Sequence, residues 1–359
     1  LSSVCSGIEG IEVIGTSSNG KIALSRIAIS PPDIVLLDVS MPVMDGLEAL
    51  KIIRKEYPDI DVIMVSGVDR ENAGLTMKAL SLGALDFVGK PHSGTPEEGL
   101  EHLKKTLTPL ISLVRTRKYS RQVRKLSTEK PVIAPVVKTK PPVEHTIHDV
   151  ASTPLPGNEP ARKRFTGKID VVGIGVSTGG PNALQVIIPM IAAEIKVPIL
   201  AVQHMPPTFT ASLAERLDEQ SKIKVTEAKN GETIEKGHMY IAPGGSHMVI
   251  RRTGSGAVQT EIIDTPPVNS CKPSVDVLFR SIPLVYGANI LSVILTGMGR
   301  DGASGVSAIR RKGGYCIIQD EATSVVWGMP QAVAEANDAD EILPVERIAQ
   351  RINEIAGRG

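Results

Sequence analysis

The sequence predicts an α/β protein made of two doubly wound parallel-sheet domains joined by a Pro-rich, disordered linker. Three observations carry this. Short, nearly unbroken aliphatic runs alternate with helical stretches, as parallel strands covered on both faces require. The alternation stops once, over residues 119–164, where seven prolines stand among Lys, Arg, Ser and Thr, and then resumes. The 359 residues suffice for two domains, and aromatics make up only 3%, so both cores must be aliphatic. The expected boundaries are 1–117, 118–166 and 167–359.

In the first domain, IEVIGTS (11–17) reads as a short strand and 20–29 as a helix. DIVLLDV (33–39) is a buried strand ending in an acid, followed by an amphipathic helix over 47–57. DVIMVSG (61–67) is a second buried strand, with a helix running on through Leu82. ALDFVGKP (84–91) is a further strand, and 97–117 closes the domain as a helix. In the second domain, DVVGIGV (170–176) leads into a helix over 181–193, and PILAVQH (198–204) into one over 208–220. Short, turn-rich segments between 224 and 264 suggest hairpins. Residues 274–286 are helical. ILSVILTG (290–297) passes through a glycine-rich loop into a helix over 302–312. YCIIQD (315–320) is a strand, and the chain from Pro344 is helical.

A formal net charge of +1 argues against a general nucleic-acid or membrane-surface partner. No apolar run is long enough to span a membrane, so no insertion is expected. Cys5, Cys271 and Cys316 lie far apart without metal-type spacing. With no cleavable leader, they are expected as reduced thiols of a cytoplasmic protein.

Ligands of doubly wound sheets gather at the carboxyl ends of the strands. Asp38, Ser66 and Lys90 fall there in the first domain. Singly, the Asp reads as a turn former and the Lys as an exposed turn residue. Together, carboxylate, hydroxyl and ammonium suit acceptance of a phosphoryl group. The stretches DIVLLDVSMPVMDGLEAL (33–50), VIMVSG (62–67) and ALDFVGKP (84–91) resemble a response-regulator receiver domain. The resemblance implies a flavodoxin-like sheet, Asp38 as phosphoacceptor, Ser66 as switch hydroxyl, Lys90 as phosphate contact, and a cis bond before Pro91. It also implies Mg²⁺, with Asp38 as one ligand beside an acidic pair. In the family that pair lies further before the acceptor than the 37 residues preceding Asp38 here. Glu9 and Glu12 stand in the wrong register to replace it. The expectation is a receiver incomplete at its N-terminus, with its central strand missing and with weak phosphorylation or none.

In the second domain, GIGVSTGG (173–180) follows a strand and opens a helix. Its G-x-S-x-G, at Gly175, Ser177 and Gly179, fits a nucleophile elbow that lifts the serine hydroxyl into a crevice. A phosphate-cradling loop and a structural turn remain open alternatives, although the dinucleotide and Walker patterns both fail. His204, at the end of the next strand, is a candidate general base, and Asp301, beyond a later strand, a candidate orienting acid. Their rival readings are a satisfied core histidine and a helix N-cap. Asp276, Asp320, His238 and His247 are less well placed. The order Ser–His–Asp matches none of the common hydrolase orders, but geometry rather than order defines a triad.

VSTGGP (176–181), QHMPPTFTASLAERL (203–217), YIAPGGSHM (240–248), PSVDVLF (273–279) and ILTGMGRDGASG (294–305) look like the catalytic domain of chemotaxis protein-glutamate methylesterases. That resemblance implies a Rossmann-like three-layer domain, with Ser177 as nucleophile, His204 as base, Asp301 as orienting acid, and Thr178 and Met298 near the oxyanion. It implies hydrolysis of glutamate γ-methyl esters and deamidation of glutamine without a cofactor. The implied partners are the cytoplasmic helices of methylated chemoreceptors as substrate and a chemotaxis histidine kinase as phosphodonor. The unphosphorylated receiver is expected to cover the catalytic face.

Overall fold

The computed structural model describes residues 1–67, 69–90, 95–128 and 167–357. The chain begins with α1 (Ser2–Ser6) and α2 (Gly20–Ile29), whose N-cap Asn19 accepts the Ile22 N–H. Then follow β1 (Ile34–Asp38), α3 (Gly46–Glu56), β2 (Asp61–Ser66), α4 (Arg70–Ser81), β3 (Asp86–Gly89) and α5 (Pro96–Thr128). A capping box formed by Asp45 and Glu48 starts α3, and Asp69 caps α4. The strands form a parallel sheet of order β1-β2-β3. All six residues of β2 are buried, which is why DVIMVS reads as one apolar run.

Two expectations need correction here. Residues 11–17 form no strand: the alternation is right, but the segment finds no ladder partner, and β1 is paired on one side only among the described residues. The helix expected to stop at Arg117 runs on to Thr128, so the head of the expected linker is helical. The remainder of that linker, and the bond before Pro91, lie outside the described residues.

The second half contains β4 (Val171–Val176), α6 (Gly180–Ile187), β5 (Ile199–Gln203), α7 (Phe209–Gln220), β6 (Lys224–Glu227), β7 (His238–Ile241), β8 (His247–Arg252) and β9 (Val258–Ile263). It continues through α8 (Val275–Tyr286), β10 (Ile290–Ile294), α9 (Ala303–Arg311), β11 (Tyr315–Gln319), α10 (Gly328–Glu335), β12 (Glu341–Leu343) and α11 (Val345–Ala356). Seven parallel strands take the order β12-β11-β10-β4-β5-β7-β6. Every residue of β4, β5, β10 and β11 is buried, since helices cover both faces. The hairpin expectation holds for β8 and β9, an antiparallel pair, and fails for β6 and β7, which join the main sheet as parallel neighbours. Strand order reverses at β4, which lies between β10 and β5, and such a reversal opens a crevice at the strands' carboxyl ends.

The two halves share one apolar core. Phe87 of β3 stacks on Phe209 of α7 with ring centroids 4.4 Å apart. Asn182 of α6 donates to the carbonyl of Ala84 at 3.2 Å, and Arg70 pairs with Glu215 at 2.6 Å.

Candidate active site

Ser177 follows β4, His204 follows β5, and Asp301 lies in the loop beyond β10. The three strands are immediate neighbours, so the three residues gather at one end of the sheet. The turn after β4 depends on Gly179, at φ +73°, where a Cβ would lie 2.4 Å from Val325 Cγ2. A Cβ on Gly297 would lie 2.8 Å from the Ser177 Cβ, so glycine there admits the serine. Gln203 donates to the Ser177 carbonyl at 3.0 Å and ties the elbow to the end of β5.

His204 Nε2 lies 2.8 Å from Asp301 Oδ2. Asp301 is almost fully buried and does not cap α9, whose N-cap is Gly302. Instead it receives the N-terminus of α8: the Val275 N–H at 2.6 Å, the Asp276 N–H at 3.3 Å and the Ser274 hydroxyl at 2.8 Å. Asn269 donates to it at 2.8 Å. Burial would raise its carboxyl, but His204 and these donors hold it down to about 2. Burial would lower His204, yet the bond to Asp301 and the neighbouring Cys271 push it up to about 9. The second ring nitrogen, Nδ1, faces Cys271 Sγ at 3.5 Å. Cys271 escaped the sequence reading because 67 positions separate it from His204 and no local motif links them.

The rival candidates have structural employment. Asp276 accepts the N–H groups of Gly302 and Gly305 at 3.0 and 2.7 Å. Asp320 accepts from Thr323, His238 contacts Thr226, and His247 Nδ1 accepts the Ser274 N–H.

Ser177 and His204 line one cavity of about 670 Å³, together with Thr178 and Met298. The Ser177 hydroxyl has no hydrogen bond among the described residues, to His204 or otherwise. The backbone N–H groups of Thr178 and Met298 are also undonated there. The cavity's other wall comes from the first half: Asp86 to Gly89 on β3 and Lys90 just after it, with Glu98 and Lys105 on α5. Burial pushes the Asp86 carboxyl up to about 6, although the N–H groups of Phe87 and Gly179 donate to it. A free hydroxyl, an acid-bound imidazole and two free N–H donors can perform acyl transfer at a carbonyl.

In the first half, Lys90 Nζ and Asp38 Oδ2 meet at 2.5 Å. Ser66 does not join them: its buried hydroxyl accepts from Thr76 at 2.7 Å and faces α4. Receiver domains hold Mg²⁺ among several carboxylates. Among the described residues no cluster of metal-ligating groups forms around Asp38, so the residues present do not fit that ion.

The family model described as CheB methylesterase matches residues 172–352, and that described as response regulator receiver domain matches residues 1–104. A protein-glutamate methylesterase/protein-glutamine glutaminase of Trichodesmium erythraeum is 43% identical over 98% of this chain and 94% of its own length. Its counterpart in Desulfotalea psychrophila is 42% identical over 96% of this chain and 91% of its own. The crystal structure of the Thermotoga maritima CheB methylesterase catalytic domain is 40% identical, covers 52% of this chain and 99% of that one, and superposes with a TM-score of 0.51. These relatives favour the ester-hydrolase reading of the glycine-rich turn over the phosphate loop.

Proposed function

This chain belongs to the CheB methylesterase family and carries a receiver domain, and from that premise we propose that Ser177, His204 and Asp301 are its catalytic triad. The chain is a protein-glutamate methylesterase with protein-glutamine glutaminase activity, serving chemotactic adaptation. Ser177 Oγ attacks the γ-carbonyl of a glutamyl methyl ester and gives its proton to Nδ1 of His204, the nitrogen not engaged by Asp301. The N–H groups of Thr178 and Met298 stabilise the oxyanion. As the tetrahedral species collapses, His204 returns the proton to the departing methoxide, and methanol leaves. Water, deprotonated by His204, then attacks the acyl-enzyme and releases glutamate, restoring the serine. With glutamine the leaving group is ammonia and the second half is the same. None of these steps needs a metal or an organic cofactor.

The observation that carries the assignment is the meeting of the three strand ends at the reversal of sheet order around β4. The substrate is a methylated helix in the cytoplasmic region of a chemoreceptor, and the protein works in the cytoplasm. Among the described residues no helix is long and apolar enough to cross a membrane. Residues 1–117 act as the regulatory receiver and 167–359 as the catalytic domain. Asp38 holds the phosphoacceptor position of the receiver fold, contacted by Lys90, and a chemotaxis histidine kinase would be the donor; without a fitting Mg²⁺ site among the described residues, phosphorylation of this chain is expected to be weak or absent. Ser66 would have to turn from Thr76 to act as the switch hydroxyl.

Methanol release from methylated receptor tests the reading. Ser177→Ala should lower turnover by at least about 10³-fold with the fold intact. Retention of wild-type turnover by that variant would remove the assignment.

A further inference from the structure

Cys271 is half-buried on the loop before α8, and its sulfur faces the ring nitrogen that must receive the serine proton. The other two cysteines are buried elsewhere. His204, Cys271 and Asp301 are the group among the described residues whose ligand atoms lie within 4.8 Å of one another.

The geometry points to an inhibitory site for a soft divalent cation, Zn²⁺ first, held between His204 Nδ1 and Cys271 Sγ. This rests on His204 being the catalytic base. A tetrahedral zinc bound to nitrogen at about 2.05 Å and sulfur at about 2.3 Å sets the two donors about 3.6 Å apart. Here they stand at 3.5 Å, within about 0.1 Å of that span. The opposite ring nitrogen contacts the carboxylate of Asp301, the arrangement that orients histidine ligands at metal sites. Asp301 itself is saturated by the start of α8 and by Asn269, so it supports the ring and does not bind the ion. Thiolate and imidazole together select Zn²⁺ over Mg²⁺ or Ca²⁺. The ion enters through the cavity that His204 lines. Water completes its coordination, and the thiol proton passes to solvent on binding. The occupied Nδ1 lone pair can no longer accept the Ser177 proton, so esterase activity stops while the metal is bound.

The test uses the full chain, first stripped with a chelator. Co²⁺ serves as a spectroscopic probe and buffered Zn²⁺ as the inhibitor. Wild type should show one thiolate-to-cobalt charge-transfer band per chain, and Zn²⁺ should suppress methanol release reversibly with EDTA. Cys271→Ser, and Cys271→Ala as a second variant, should lose the band. Each, measured against its own metal-free rate and with an unchanged melting profile, should need at least ~10-fold more Zn²⁺ for half-inhibition. No band in wild type, a band that survives in both variants, or equal zinc sensitivity would overturn the site. A metal-free wild type that releases no methanol would instead sink the esterase assignment, and the cobalt band would still decide the metal site by itself.

Discussion

At the residue scale, the proposed mechanism needs His204 unprotonated to accept the Ser177 proton, and Asp301 together with Cys271 pushes the imidazole up to about 9. The rate constant for methanol release, kcat/KM, should therefore climb with pH through neutrality and level off near 9. Asp301→Asn removes the carboxylate charge that favours imidazolium. A pH–rate profile of that variant should reach its plateau at lower pH, with a maximum reduced by about 10⁴-fold. A wild-type plateau already reached at pH 6 would contradict the coupling. Much of this site was legible residue by residue. Ser177 sits in a glycine-framed turn, and His204 and Asp301 each follow an aliphatic run, so position at a strand end was readable from hydropathy alone. Cys271, Asn269 and Ser274 were not, because each acts through a contact made across many positions of chain.

At the element scale, the turn between β4 and α6 is the demanding piece. Gly179 adopts a left-handed conformation that costs an L-residue about 1–2 kcal/mol, and a Cβ would also press on Val325. Gly179→Ala should lower the unfolding free energy by more than about 1 kcal/mol and impair turnover, as read by denaturant titration beside the esterase assay. Elements with a full apolar run, such as β2 and β4, were readable because burial on both faces leaves no polar positions. Residues 11–17 have strand character and no strand, since a ladder needs a neighbour that hydropathy does not supply. β12 was missed because three residues with an exposed centre carry almost no period. β6 and β7 were misjudged because short strands between turn residues look alike whether they pair with each other in a hairpin or lie parallel in a larger sheet.

At the scale of the whole molecule, the receiver half supplies one wall of the cavity that holds Ser177 and His204. A receptor helix cannot reach the serine along that side while Phe87 remains stacked on Phe209. An aromatic pair contributes about 0.5–1.5 kcal/mol beyond its buried area. Phe87→Ala should therefore loosen the docking and raise the basal rate of methanol release several-fold. A rate equal to wild type would show that the receiver does not gate the site.

The sequence alone determined the layered α/β class, the interruption between the halves, and the strand-end positions of Ser177, His204 and Asp301. Those properties are local: they follow from apolar periodicity and from glycine at a sharp turn, which neighbouring residues specify. Only the tertiary structure decided that β10, β4 and β5 are adjacent, that Asp301 takes the start of α8, and that a thiol faces the imidazole. The same holds for the receiver wall over the site. Each of these is a pairing between distant segments, chosen by the burial and backbone hydrogen bonding of the folded chain as a whole.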